Sequence, residues 1–190
     1  MGAASSKPQA APAWIDGFWL SRMRKIAFVS AENAEGIKKV MIYEDNHGVY
    51  IFGYNTVYDR NCVFDEWYEA LSDAEECCAD VYGVQADDWI FIADPLEYCN
   101  LDYIMPVRIK GRNVGKPRFD CWEVLQDGEW RSFQPLYDEA KSFEALLANE
   151  RLFLSGLMDE FEKARQTDKD KARKILAALG FDAGSRKESL

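Results

Sequence analysis

Lys38-Lys39-Val40-Met41-Ile42-Tyr43-Glu44-Asp45-Asn46-His47-Gly48-Val49-Tyr50-Ile51-Phe52-Gly53-Tyr54 decides the fold class. Two β-branched and aromatic runs flank Glu44-Asp45-Asn46-His47-Gly48, a cluster of turn residues, so the stretch reads as an antiparallel hairpin. His47 is the only histidine of the chain, and this places it in a turn. An antiparallel hairpin in a chain of 190 residues needs further strands and a helix to cover it.

Downstream, Cys62 to Glu69 reads as a third strand, followed by a helix from Ser72. Ser72 with Glu75 has capping-box spacing, Ala74, Cys77, Cys78, Val81 and Tyr82 follow at helical spacing, and Gly83 is placed to stop the helix. One continuous helix from Val63 to Tyr82 is the alternative, because Phe64, Trp67, Leu71, Ala74, Cys78 and Val81 form an unbroken stripe. Trp89 to Ile92 is a short buried run, Tyr103 to Lys110 and Arg118 to Leu125 read as strands, and Asp127-Gly128 turns the chain into Trp130 to Phe133. The expected class is α+β: an antiparallel sheet of about five or six strands with a packed helix.

From Tyr137 the pattern becomes helical. Phe143, Leu146, Leu147, Phe153, Leu154, Leu157, Met158, Phe161 and Ala164 recur at threes and fours, with Gly156 a weak spot inside a long helix. Thr167 with Asp170 repeats the capping-box spacing, and Ala172, Ile175, Leu176 and Leu179 make a second helix closed by Gly180. This C-terminal helical hairpin packs on its own domain or makes a homodimer. The organisation expected is a disordered arm over 1–13, an α+β domain over 14–135, the hairpin over 136–182 and a frayed tail over 183–190.

Charge is the sharpest feature. Residues 44–104 carry 15 Asp and Glu against a single base, Arg60. A chain with a net charge of −10 is unsuited to nonspecific nucleic-acid binding and suited to a basic protein partner. Carboxylates around aromatic anchors would steer and then hold that partner, and the candidate partner-binding residues are Asp65, Glu66, Trp67, Glu69, Asp87, Asp88, Asp94, Glu97, Tyr98 and Asp102. The other reading puts the aromatics in the core with the acids simply solvated. Arg108, Lys110, Arg112, Lys116 and Arg118 are five bases in eleven residues, either a solvated hairpin tip or partners for the acidic region.

Nucleophile, P-loop, dinucleotide and H-E-x-x-H signatures are missing from the sequence, so no catalytic residue, metal or cofactor is assigned. A carboxylate- or metal-dependent enzyme centred on Asp94 and Asp102 is the alternative. The five cysteines, without recurring spacing, fit reduced thiols in the cytoplasm. No apolar run reaches the length of a membrane span. Met1-Gly2-Ala3-Ala4-Ser5-Ser6 does match the N-myristoylation pattern, which keeps a membrane-associated effector as a third reading.

Trp89, Asp94-Pro95-Leu96, Cys99, Asp102, the run Met105-Pro106-Val107-Arg108-Ile109-Lys110-Gly111-Arg112 and then Gly115-Lys116-Pro117 together resemble small acidic bacterial proteins of the immunity-protein type. The resemblance covers about residues 40–133. It implies a cytoplasmic protein that neutralises a toxin by binding it, and supplies neither an activity nor a site.

Overall fold

The computed structural model describes residues 22–29, 36–133 and 143–181. The expected N-terminal arm, the 135/136 domain boundary and the C-terminal tail lie outside these residues, as does Gly2. The described chain is α+β.

Strands β1 (Met23–Phe28), β2 (Lys39–Asp45), β3 (Gly48–Tyr54), β4 (Phe64–Tyr68) and β5 (Ile90–Ile92) form one antiparallel sheet in the order β4-β3-β2-β1-β5. Strands β6 (Val107–Ile109), β7 (Trp122–Gln126) and β8 (Glu129–Phe133) form a second, three-stranded sheet. The later strands do not extend the first sheet. Pro95 and Pro106 interrupt the connection from β5 to β6, and a proline has no N–H to give a ladder. Asp127 and Gly128, at φ 52° and 78°, make the β7–β8 turn with the twist a tight hairpin needs.

Val40-Met41-Ile42-Tyr43 is continuously apolar because both faces of β2 are covered. Val40 and Ile42 meet helix α1 (Leu71–Tyr82) through Ala74, Cys78 and Tyr82. Met41 meets the opposite layer with Ile26, Phe52, Tyr54, Ile90 and Ile92, against Leu152, Leu157, Ala164, Ala172, Ile175 and Leu179 of the C-terminal helices. Each fully buried Ile or Leu there contributes about 1.5–3 kcal/mol. The apolar stripe of the C-terminal helices is thus spent on the sheet of the same chain.

Residues 64–68 are a strand and the helix begins only at Leu71, which settles the alternative of one helix from Val63. Its N-cap position is Ala70, not Ser72: the Ser72 hydroxyl turns to Asp73, and Glu75 turns to Lys25. Gly83 ends the helix at φ 71°, its N–H on the Ala79 carbonyl at 3.0 Å.

The expected long helix after residue 143 is three pieces. A short 3-10 turn (Phe143–Ala145) leads into α2 (Ala148–Leu154), and Ser155-Gly156-Leu157 breaks the path before α3 (Met158–Thr167). Helix α3 then pairs with α4 (Lys169–Ala178) as the C-terminal hairpin. Gly156 has φ 78°, and a Cβ there would sit 2.7 Å from Asp59 Oδ2, so position and backbone both demand glycine. The cap of α4 is Asp168, whose Oδ1 accepts from the Lys171 N–H at 3.0 Å, while the Thr167 hydroxyl donates back to Lys163.

Candidate protein-interaction surface

Strand β4 and helix α1 are consecutive in the chain, and residues 61–82 hold seven carboxylates and no base. Strand alternation turns Phe64 and Tyr68 towards α1, where Phe64 stacks on Tyr82 with ring centroids 6.4 Å apart. Asp65 and Trp67 take the other face, opposite Phe52 and Tyr50. Two glycines of β3 make room for the aromatics. A Cβ at Gly53 would lie 2.1 Å from the Phe64 ring, and one at Gly48 would lie 2.3 Å from Trp67 Nε1. The indole N–H of Trp67 donates to the His47 carbonyl at 3.2 Å, so the ring is held in place while 51% exposed. His47 is a turn residue, its own N–H on Asp45 Oδ1.

Helix α1 buries Ala74, Cys78 and Tyr82 and leaves Asp73, Glu76 and Asp80 in solvent. Glu75 is the exception among the acids. It pairs with the ammonium of Lys25, which is buried and lies 4.6 Å from the centre of the Trp89 ring. No salt bridge joins the other six carboxylates of this unit to a described base. Glu66 accepts from the Tyr68 hydroxyl at 2.8 Å. That hydroxyl stays protonated far above its ordinary range through the Cys77 thiol, burial and the Glu66 carboxylate, in that order.

The remaining candidates divide. Asp65, Glu66, Trp67 and Glu69 sit together at the β4 edge, all exposed. Asp87 and Asp88 lie beyond the far end of α1, in a short 3-10 turn where Asp88 accepts from the Gln85 N–H at 2.7 Å. Asp94, Glu97 and Tyr98 follow β5, the other edge, four strand spacings or about 19 Å from β4. Asp102 is not a surface residue of this kind. Its carboxylate accepts the Cys62 N–H at 3.1 Å and its carbonyl accepts the Tyr54 hydroxyl at 2.6 Å, tying two loops together. A single outward acidic face over the whole central third therefore reduces to β4–α1 and its extension to Asp87 and Asp88. Strand order sends Asp94, Glu97 and Tyr98 to the opposite edge, and Asp102 is taken up by Cys62 and Tyr54.

The basic run is elsewhere. Arg108 pairs with Glu123 at 2.7 Å and stacks 3.6 Å from the Trp130 ring within the second sheet. Lys110, Arg112, Lys116 and Arg118 are exposed on the β6–β7 connection, Arg112 reaching Asn100 at 3.3 Å. The acids of β4–α1 are not neutralised by this tip.

A buried polar centre escaped the sequence reading. Both oxygens of Asp59 accept backbone N–H groups, from Ile104 at 2.8 Å and Met105 at 2.7 Å. Lys39, fully buried, donates to the Tyr58 carbonyl at 2.9 Å and lies 4.3 Å from the Tyr54 ring centre. Burial pushes the Lys39 ammonium down to about 8 against the pull of Asp59 and Asp102, and pushes Asp59 above the usual carboxylate range against Lys39 and the two N–H groups. Arg24 holds the carbonyls of Ala93, Leu101, Tyr103 and Ile104. These groups join the loops around residues 58 and 93–105 to the main sheet. A space of about 470 Å³ adjoins them, with Tyr58, Asp59, Gln126, Phe133 and Phe153 on its wall. Each Asp59 oxygen already accepts a backbone N–H, so this carboxylate serves to hold the loop at Ile104 and Met105. The one legible signal was alternation, which puts Lys39 on the face of Met41.

No protein-family model, curated protein or solved structure matches this chain.

Among the described residues no group of three His, Cys, Asp or Glu side chains is placed to hold a metal, and Asp102 is committed to Cys62. No helix among them is long and apolar enough to cross a membrane. All five cysteines are free thiols.

Proposed function

We propose that this is a non-enzymatic acidic binding protein that covers a basic protein, in the manner of an inhibitor or a toxin-neutralising immunity protein. One observation carries the reading: β4–α1 presents six carboxylates without a described basic partner beside a half-exposed, fixed indole. Unpaired surface carboxylates cost little in water and accelerate encounter with a cationic surface. Steering of this kind raises association rates from about 10⁵–10⁶ M⁻¹s⁻¹ to as much as about 10⁸–10⁹ M⁻¹s⁻¹ at low salt. Affinity then comes from the part that can be desolvated, and Trp67 is the anchor of that kind at the β4 edge. Five free cysteines support a reducing compartment such as the cytoplasm for this binding protein.

Affinity capture from the source organism tests this, with wild-type protein and a variant carrying Asp65→Asn, Glu66→Gln, Glu69→Gln, Asp73→Asn and Glu76→Gln. The expected prey is a basic protein, retained at low salt by the wild type and lost from the variant and at high salt. A prey of acidic or neutral charge, or one held equally by both proteins, would refute the reading.

A further inference from the structure

We propose that the outer edge of β4 is the docking line, and that an extended basic segment of the partner adds there as a sixth strand. This inference rests on β4–α1 being the surface for a basic protein, and states how that protein is held.

Strand β4 closes the main sheet, and no described strand lies beyond it. Every second residue of an edge strand aims its N–H and carbonyl away from the sheet, a ready ladder for another chain. Edge strands are commonly blunted with lysine or proline, yet residues 61–69 contain no Lys, Arg or Pro. Beside the strand is a groove of about 390 Å³ lined by Ile37, Val63, Phe64, Asp65 and Glu66. Its floor is aliphatic and aromatic and its rim carries two carboxylates, with Val63 51% exposed. That combination accepts an apolar side chain with a base on either side of it. Trp67, at the other end of the strand and pinned by the His47 carbonyl, flanks the same line.

Charge selects the occupant. A second copy pairing antiparallel about Glu66 would set Glu66 against Glu66 and bring two acidic helices alongside, an arrangement that like charges oppose. A neutral segment would complete the ladder but leave Asp65, Glu66 and Glu69 uncompensated. A segment with bases among apolar residues satisfies ladder, groove and rim together.

The test uses the full chain and a labelled peptide of alternating lysine and valine. Two further peptides of the same sequence carry N-methyl groups on every second amide, one in each register, so charge is unchanged while one edge of the peptide loses its donors. The parent is expected to bind, and one methylated register to bind at least about tenfold more weakly than the other. Asp65→Lys with Glu66→Lys should abolish binding, while Asp94→Lys with Glu97→Lys at the opposite edge should leave most of it. Circular dichroism checks that both variants remain folded. Equal, salt-sensitive binding of all three peptides overturns strand addition and leaves the acidic-face reading standing. Binding of none overturns both, and binding lost only in the Asp94 and Glu97 variant overturns the location.

Discussion

Gly156→Ala should be one of the most damaging single-methyl changes in the chain, and Gly83→Ala is its control. Both glycines are left-handed, at φ 78° and 71°, so alanine costs each about 1–2 kcal/mol of backbone strain. They differ in what the new methyl meets. At Gly83 nothing lies within 4 Å, whereas at Gly156 the Cβ would stand 2.7 Å from Asp59 Oδ2 and 2.8 Å from its Cγ. Asp59 cannot retreat without lengthening its bonds from the Ile104 and Met105 N–H groups. Loss of one such bond to a charged acceptor costs about 1.5–3 kcal/mol. Gly83→Ala should therefore cost about 1–2 kcal/mol and Gly156→Ala about 2.5–5 kcal/mol, measured by urea unfolding. A double-mutant cycle with Asp59→Ala should show strong non-additivity, because the two closest atoms are removed and only the Cβ of residue 59, 3.0 Å away, remains near the methyl. Equal losses for the two glycine variants, or additivity in the cycle, would refute the role given to Asp59.

Lys39 makes stability depend on pH in a stated direction. Its value falls from 10.5 to about 8 on folding, so between those limits the unfolded chain binds more protons and the Lys39 contribution to stability rises with pH. Cys62 and Cys78 act oppositely above about 9, since burial raises both to about 12 and only the unfolded thiols ionise. The difference between wild type and Lys39→Met isolates the lysine: it should move by about 1 kcal/mol in favour of wild type from pH 8 to pH 9. A gap independent of pH would contradict this. The same thiols should resist alkylation: native protein treated with iodoacetamide at pH 8 should carry little label on Cys62 or Cys78, whose thiolate fraction is about a thousandfold below that of an ordinary cysteine. Mass spectrometry of the digest reads it, and rapid labelling of Cys78 in the folded protein would show that α1 is not packed as described.

Local patterns carried much of this architecture. The hairpin over 38–54, the Asp127-Gly128 turn and the Gly83 stop are set by residues close in sequence, and all three stand in the structure. Ser72 and Thr167 misled because capping-box spacing was present without the geometry. Glu75 is drawn to buried Lys25, and Asp168 makes the shorter cap. The division of the strands into two sheets, and the break at Gly156, depend on partners 45 and more positions away, such as Asp59 with Ile104. The candidate surface was half legible for the same reason: composition located the acids, but strand order alone separates Asp65 from Asp94, and Asp102 was indistinguishable from a solvated acid until Cys62 stood beside it.

The claim that β4–α1 meets a basic partner is tested most directly by the association rate with the captured protein, measured by stopped flow across ionic strength. Wild type should slow by at least about tenfold between 0.02 and 0.5 M salt. The variant neutralised at Asp65, Glu66, Glu69, Asp73 and Glu76 should already be slow and nearly indifferent to salt, while Asp94→Asn with Glu97→Gln should behave as wild type. Identical salt slopes for wild type and the β4–α1 variant would contradict the account.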